Sequence, residues 1–98
     1  MTEPRTPILN PHTGRDDGTI ATDKYEAMKA ALLAAIPPDD TGVPFQGLAD
    51  RLRPHLDAAV FEGASIPWYL TTVKLDLEAR GLLERIPGAR PQRLRRKA

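Results

Sequence analysis

The sequence predicts a mainly α fold in which three helices lead into a small β-hairpin and an extended N-terminal arm precedes them. Three observations lead there. Apolar residues recur at spacings of three and four in three separate stretches, proline and glycine clusters divide those stretches, and beyond Gly81 the apolar period drops to two. With 98 residues the chain has room for one domain, and an apolar fraction of 41% is enough to close a core. There are no cysteines, so disulfides, thiolate zinc sites and thiol catalysis are excluded and the core must hold by packing.

Residues 1 to 21 read as the arm. They carry Pro4, Pro7, Pro11, Gly14 and Gly18, and few apolar side chains beyond Ile8, Leu9 and Ile20. Residues 22 to 96 form the domain and 97 to 98 a tail. Thr22 is a good N-cap with Asp23 in the first turn, and Tyr25, Met28, Leu32 and Ala35 make one apolar stripe, so a first helix runs over about residues 23 to 35 and stops at Pro37-Pro38. After the turn cluster Asp39-Asp40-Thr41-Gly42, Pro44 opens a second helix whose Phe45, Leu48, Leu52 and Leu56 share a face, with Pro54 kinking or ending it. The third helix opens at Ser65-Ile66-Pro67, continues through Leu70, Val73 and Leu77, and closes at Gly81, a residue suited to a left-handed C-cap. Leu82, Glu84 and Ile86 then alternate with Leu83 and Arg85 as in a strand. Pro87-Gly88 fits the centre of a type II turn, and residues 90 to 96 return with Leu94 opposed to Arg93 and Arg95.

Charge is unevenly placed. Residues 1 to 64 hold six basic and ten acidic side chains, whereas residues 65 to 98 hold eight basic and three acidic ones. From Arg85 onward come Arg85, Arg90, Arg93, Arg95, Arg96 and Lys97 with no acid beyond Glu84 just before them. Arginine forks onto phosphate oxygens, so a hairpin and tail of this composition suit a polyanion if they line one surface; the alternative is a solvated C-terminal end.

Three helices, a glycine and a hairpin, with the third helix ending in Val73-Lys74-Leu75-Asp76-Leu77-Glu78-Ala79-Arg80-Gly81-Leu82-Leu83-Glu84-Arg85, resemble the winged helix-turn-helix superfamily. The passage from helix to wing is similar to that of multiple-antibiotic-resistance repressors, and the resemblance covers about residues 22 to 96. The whole chain also resembles small uncharacterised bacterial proteins. The winged-helix resemblance implies a bacterial DNA-binding protein in transcription regulation. The second and third helices would form the helix-turn-helix pair, and the wing would touch phosphate or the minor groove. On the third helix Tyr69, Thr72, Asp76 and Arg80 would be the base readers. Because Lys74 and Arg80 are balanced there by Asp76 and Glu78, most phosphate contact is expected from the wing, through Arg85, Arg90, Arg93, Arg95, Arg96 and Lys97.

The third helix is apolar on a second side, through Trp68, Leu75 and Ala79. Two readings cover that stripe. Ile8, Leu9 and Ile20 of the arm fold across it, or Trp68 and Leu75 are an interface for a protein partner or a second copy, with no DNA binding.

No catalytic constellation is present. Ser65 is the one serine and reads as a helix cap, and His12 and His55 have no partner at ligand spacing, so neither an enzyme nor a bound cofactor or metal is expected. Asp16-Asp17-Gly18 and Asp39-Asp40-Thr41-Gly42 read as turns rather than cation loops. No apolar run reaches the roughly 20 residues of a membrane span and the first residues lack a secretory pattern, so a cytoplasmic location without membrane contact is expected.

Overall fold

The computed structural model describes residues 4–10, 15–38 and 41–97. In chain order the elements are β1 (Arg5–Asn10), β2 (Arg15–Ala21), α1 (Thr22–Ala35), β3 (Val43–Pro44), α2 (Leu48–Leu52), a 3-10 turn at Arg53–His55, α3 (Ile66–Ala79), β4 (Leu83–Arg85) and β5 (Arg93–Arg96). Among the described residues, β1 and β2 form one antiparallel sheet, and a second has the order β3-β5-β4. The predicted mainly α fold with a single hairpin is therefore corrected: this is a small α/β domain with two sheets.

The main source of the correction is the arm. Prolines argue against a strand because they cannot donate to its ladder, yet Pro7 sits in β1 opposite Thr19 and the register slips between Pro7 and Leu9. That irregularity frees the Leu9 N–H from β2 and aims it elsewhere. Ile8 and Ile20 from this hairpin enter the core. Pro11, His12 and Gly14 lie outside the described residues, as do Asp39, Asp40 and Ala98.

α1 buries Tyr25, Met28 and Leu32, but Ala35 of the predicted stripe is exposed, and Ile36 just past the helix end is buried instead. The N-cap is Ala21, not Thr22. Thr22 is already helical, and its hydroxyl is hydrogen-bonded to that of Thr6 at 2.8 Å, which ties the helix to β1.

The second helix is shorter than predicted. Gly42, at φ +62°, turns the backbone so that Val43 and Pro44 pair with Leu94 and Arg93 of β5, and the Phe45 N–H donates to the Gln92 carbonyl at 2.8 Å. Pairing with β5 satisfies backbone that a helix starting at Pro44 would leave to its own first turn, so the helix begins only after Gly47 and gives way to the 3-10 turn at Pro54. The predicted apolar face survives: Leu48 and Leu52 are buried, with Phe45 and Leu56 half-buried.

α3 follows the sequence closely. The Ser65 hydroxyl accepts from the Trp68 N–H at 3.2 Å, Pro67 lies in the first turn, and Gly81 at φ +77° lets the Leu82 N–H cap the Leu77 carbonyl at 2.9 Å. In the β4–β5 hairpin, Leu83, Glu84 and Arg85 face Arg96, Arg95 and Leu94. Pro87-Gly88 forms the expected turn, with Gly88 at φ +76° and the Ala89 N–H donating to the Ile86 carbonyl. Leu83 and Leu94 point into the core against α1 and α3, while Leu82 stays exposed.

Candidate nucleic-acid interface

The cations of the β4–β5 hairpin and its end fall into three groups. Two are paired with carboxylates. Arg85 donates to Glu78 of α3 at 2.9 Å and Arg95 to Glu84 across the ladder. Two others bind backbone oxygen: Arg93 donates to the Thr41 and Gly42 carbonyls at 2.7 and 3.1 Å, and Arg96 to the Ile36 carbonyl at 2.7 Å. Both therefore pin the segment between α1 and β3 onto β5, yet a carbonyl leaves the guanidinium its full charge. Arg90 and Lys97 are exposed. Arg90, Arg93, Arg96 and Lys97 thus have no carboxylate partner among the described residues.

α3 presents a different picture. Trp68, Thr72 and Leu75 line a groove of about 310 Å³ together with Ile8, Leu9 and Ile20 of the hairpin. Thr72 and Leu75 are half-buried, whereas Trp68 at the rim is 52% exposed. Further along the same stripe, Asp76 is fully buried and accepts from the Leu9 N–H at 2.9 Å, from the Tyr25 hydroxyl at 2.5 Å and from Arg80 Nε at 2.9 Å. Arg80 also donates to the Pro7 carbonyl at 3.0 Å. Three of the four residues nominated as base readers, Thr72, Asp76 and Arg80, therefore face the hairpin. Tyr69 is half-buried and packs edge-on against Phe61 and Trp68. The hairpin covers this face of α3.

Two buried polar clusters hold this arrangement, and neither was singled out from sequence. Around Asp76, burial and the adjacent carboxylate push the Tyr25 hydroxyl up to about 12, while the hydrogen bond to Asp76 raises Arg80 further. Tyr25 therefore contributes stability that is complete below its unfolded value near 10 and is lost as pH rises from there towards 12. Ring resonances of Tyr25 followed against pH should titrate in that upper range; titration at about 10 would show that the hydroxyl is not held as described. On the other side of α3, Lys74 is buried over the Phe45 ring at 4.8 Å and 3.6 Å from Glu78. Burial lowers its affinity for the proton, with Glu78 opposing the effect. The visible signal for both clusters was the i, i+4 spacing of Lys74 with Glu78 and of Asp76 with Arg80.

The profile of a family of unknown function, DUF6958, matches residues 5–94. The chain belongs to that family. The match starts at the first residue of β1 and ends at Leu94 within β5, so it takes in the N-terminal hairpin, the helices and β4. No curated protein and no solved structure matches the chain. Among the described residues no group of side chains could hold a metal ion, and no helix is long and apolar enough to cross a membrane. Of His12 and the two acidic segments predicted as turns, His12, Asp39 and Asp40 lie outside the described residues, and Asp16 and Asp17 fall within β2.

Proposed function

We propose that this domain is a cytoplasmic nucleic-acid-binding accessory module that holds phosphates through its wing and does not read bases with α3 while the N-terminal hairpin is docked. One observation carries the reading: Arg90, Arg93, Arg96 and Lys97 lie on one hairpin and its end with no carboxylate partner among the described residues. Phosphate contact needs only positive charge at the right spacing, and releasing condensed counterions supplies the affinity. The order α1-β3-α2-α3-β4-β5 and the β3-β5-β4 sheet support the winged-helix resemblance of residues 22 to 96 within the α/β domain. Compartment, a regulatory role and the absence of catalysis belong to this same proposal.

Arg90 and Lys97 are the residues with which to test it, because both side chains are exposed and the tie Lys97 makes to the fold, its N–H on the Leu82 carbonyl, is a backbone one that glutamine keeps. Replacing both by glutamine should leave thermal stability unchanged and weaken binding to a mixed-sequence duplex, with the slope of log affinity against log salt falling by about 2. Equal affinity and equal slope for the double variant and the parent would overturn the proposal.

A second reading is favoured by Trp68. An indole half exposed beside an apolar groove is the kind of anchor a protein partner or a second copy would bury. In that case Trp68→Ala abolishes the association, and the wing substitutions leave it intact.

A further inference from the structure

We propose that the β1–β2 hairpin is a detachable strap: it undocks from α3 as a unit while the helices and the wing stay folded, and docking sets how much of α3 a nucleic acid can reach. The consequence for nucleic acid rests on the wing reading above; the undocking itself does not. The hairpin's attachments to α3 converge on two residues. Leu9 N–H donates to Asp76 and the Pro7 carbonyl accepts from Arg80, and both contacts are made possible by the slip in register between Pro7 and Leu9. The strand thus gives up part of its own ladder to reach α3.

A two-stranded ribbon by itself is barely stable in water, so this one is held chiefly by what it docks on. Among the described residues it buries Ile8, Ile20 and the small side chain of Ala21. The larger part of the same core cluster, including Met28, Leu32, Val73, Leu77, Leu83 and Leu94, is supplied by α1, α3 and the three-stranded sheet. Undocking also admits water to Asp76 and Arg80, which remain paired to each other one helical turn apart, so hydration offsets part of the lost contact. The face uncovered carries Thr72, Leu75 and Arg80, which combine hydrogen-bonding, apolar and cationic groups suited to a groove.

Hydrogen exchange on the whole chain tests the motion. In the parent, ladder amides of β1–β2 should exchange at least about tenfold faster than amides of Val73 to Leu77, and Ile8→Ala should speed the hairpin by a further tenfold or so without moving those of α3. Should Ile8→Ala not fold, Ile8→Val gives the same pattern at smaller amplitude. Hairpin and α3 amides exchanging together in parent and variant would overturn the strap. Duplex binding tests the consequence. Ile8→Ala should bind several-fold more tightly than the parent and shift the Thr72 and Arg80 resonances. Equal binding by both chains, with separated exchange, would overturn the masking role. Binding by neither would sink the wing reading and the masking role together, leaving the motion to be judged on exchange.

Discussion

Asp76→Ala should lower the stability of the domain by about 3–5 kcal/mol, the largest loss expected of any single polar substitution here. The carboxylate is fully buried and serves three elements at once: Tyr25 of α1, Leu9 of β1 and Arg80 of its own helix. Alanine removes the acceptor and leaves the buried Tyr25 hydroxyl and the Leu9 backbone N–H without partners, each with its own desolvation cost, while the exposed Arg80 guanidinium keeps the Pro7 carbonyl and reaches solvent. Asp76→Asn keeps an acceptor oxygen but loses the charge that matches Arg80, so its loss should fall between the two. Urea denaturation of the three chains checks the order. A loss under about 1 kcal/mol for the alanine variant would mean that the cluster hydrates freely and is not a buried tie.

Gly42→Ala should cost about 3–5 kcal/mol by a different route. A Cβ at this position would lie 2.4 Å from the Leu94 carbonyl oxygen and 2.6 Å from Ile86 Cδ1, at a backbone φ of +62°. The isoleucine end could shift, but the carbonyl belongs to the central strand of the three-stranded sheet, so β3 would have to leave β5. Gly47→Ala isolates the two contributions. Its φ is +78° with nothing within 4 Å of the added carbon, so it carries the conformational cost alone, about 1 kcal/mol. Similar losses for the two alanine variants would show that the close approach of residue 42 to the wing is absent in solution.

Much of the C-terminal half was legible because its signals are local. Ser65, Pro67 and Gly81 bound α3 through backbone geometry that those residue types favour wherever they occur. Pro87-Gly88 likewise sets the wing turn, and the alternation around Leu94 sets its inward face. What was lost depends on partners distant in the chain. Val43 and Pro44 become a strand only because β5, some fifty residues on, offers them hydrogen bonds, so a pattern that reads as the first turn of a helix is overridden. The N-terminal segment was misread as an irregular arm for a related reason. Its prolines speak against a strand, and the compensation for Pro7 lies in a register slip and in Asp76 and Arg80, sixty-seven or more residues away.

The candidate site divides along the same line. The basic run of the wing was visible in composition, but which arginines keep uncompensated charge was not, because that depends on Glu78 and Glu84 and on the carbonyls of Ile36, Thr41 and Gly42. On α3 the sequence groups Tyr69, Thr72, Asp76 and Arg80 on one face as base readers, whereas Asp76 is buried under the hairpin and Tyr69 packs against Phe61 and Trp68; the sequence also offers Ile8, Leu9 and Ile20 as a cover for the adjacent Trp68 and Leu75. Both readings concern one surface. The hairpin lies there, closing over Asp76 while leaving half of Trp68 bare.

The most direct measurement is an NMR titration of the isotope-labelled chain with a mixed-sequence DNA duplex at low and moderate salt, reading the amides of residues 85 to 97 separately from those of 68 to 80. A wing that holds phosphate beneath a docked hairpin predicts shifts confined to residues 85 to 97 that collapse as salt is added. No shift in that segment at low salt would contradict the account, and the polyanion reading would give way to a protein partner at Trp68.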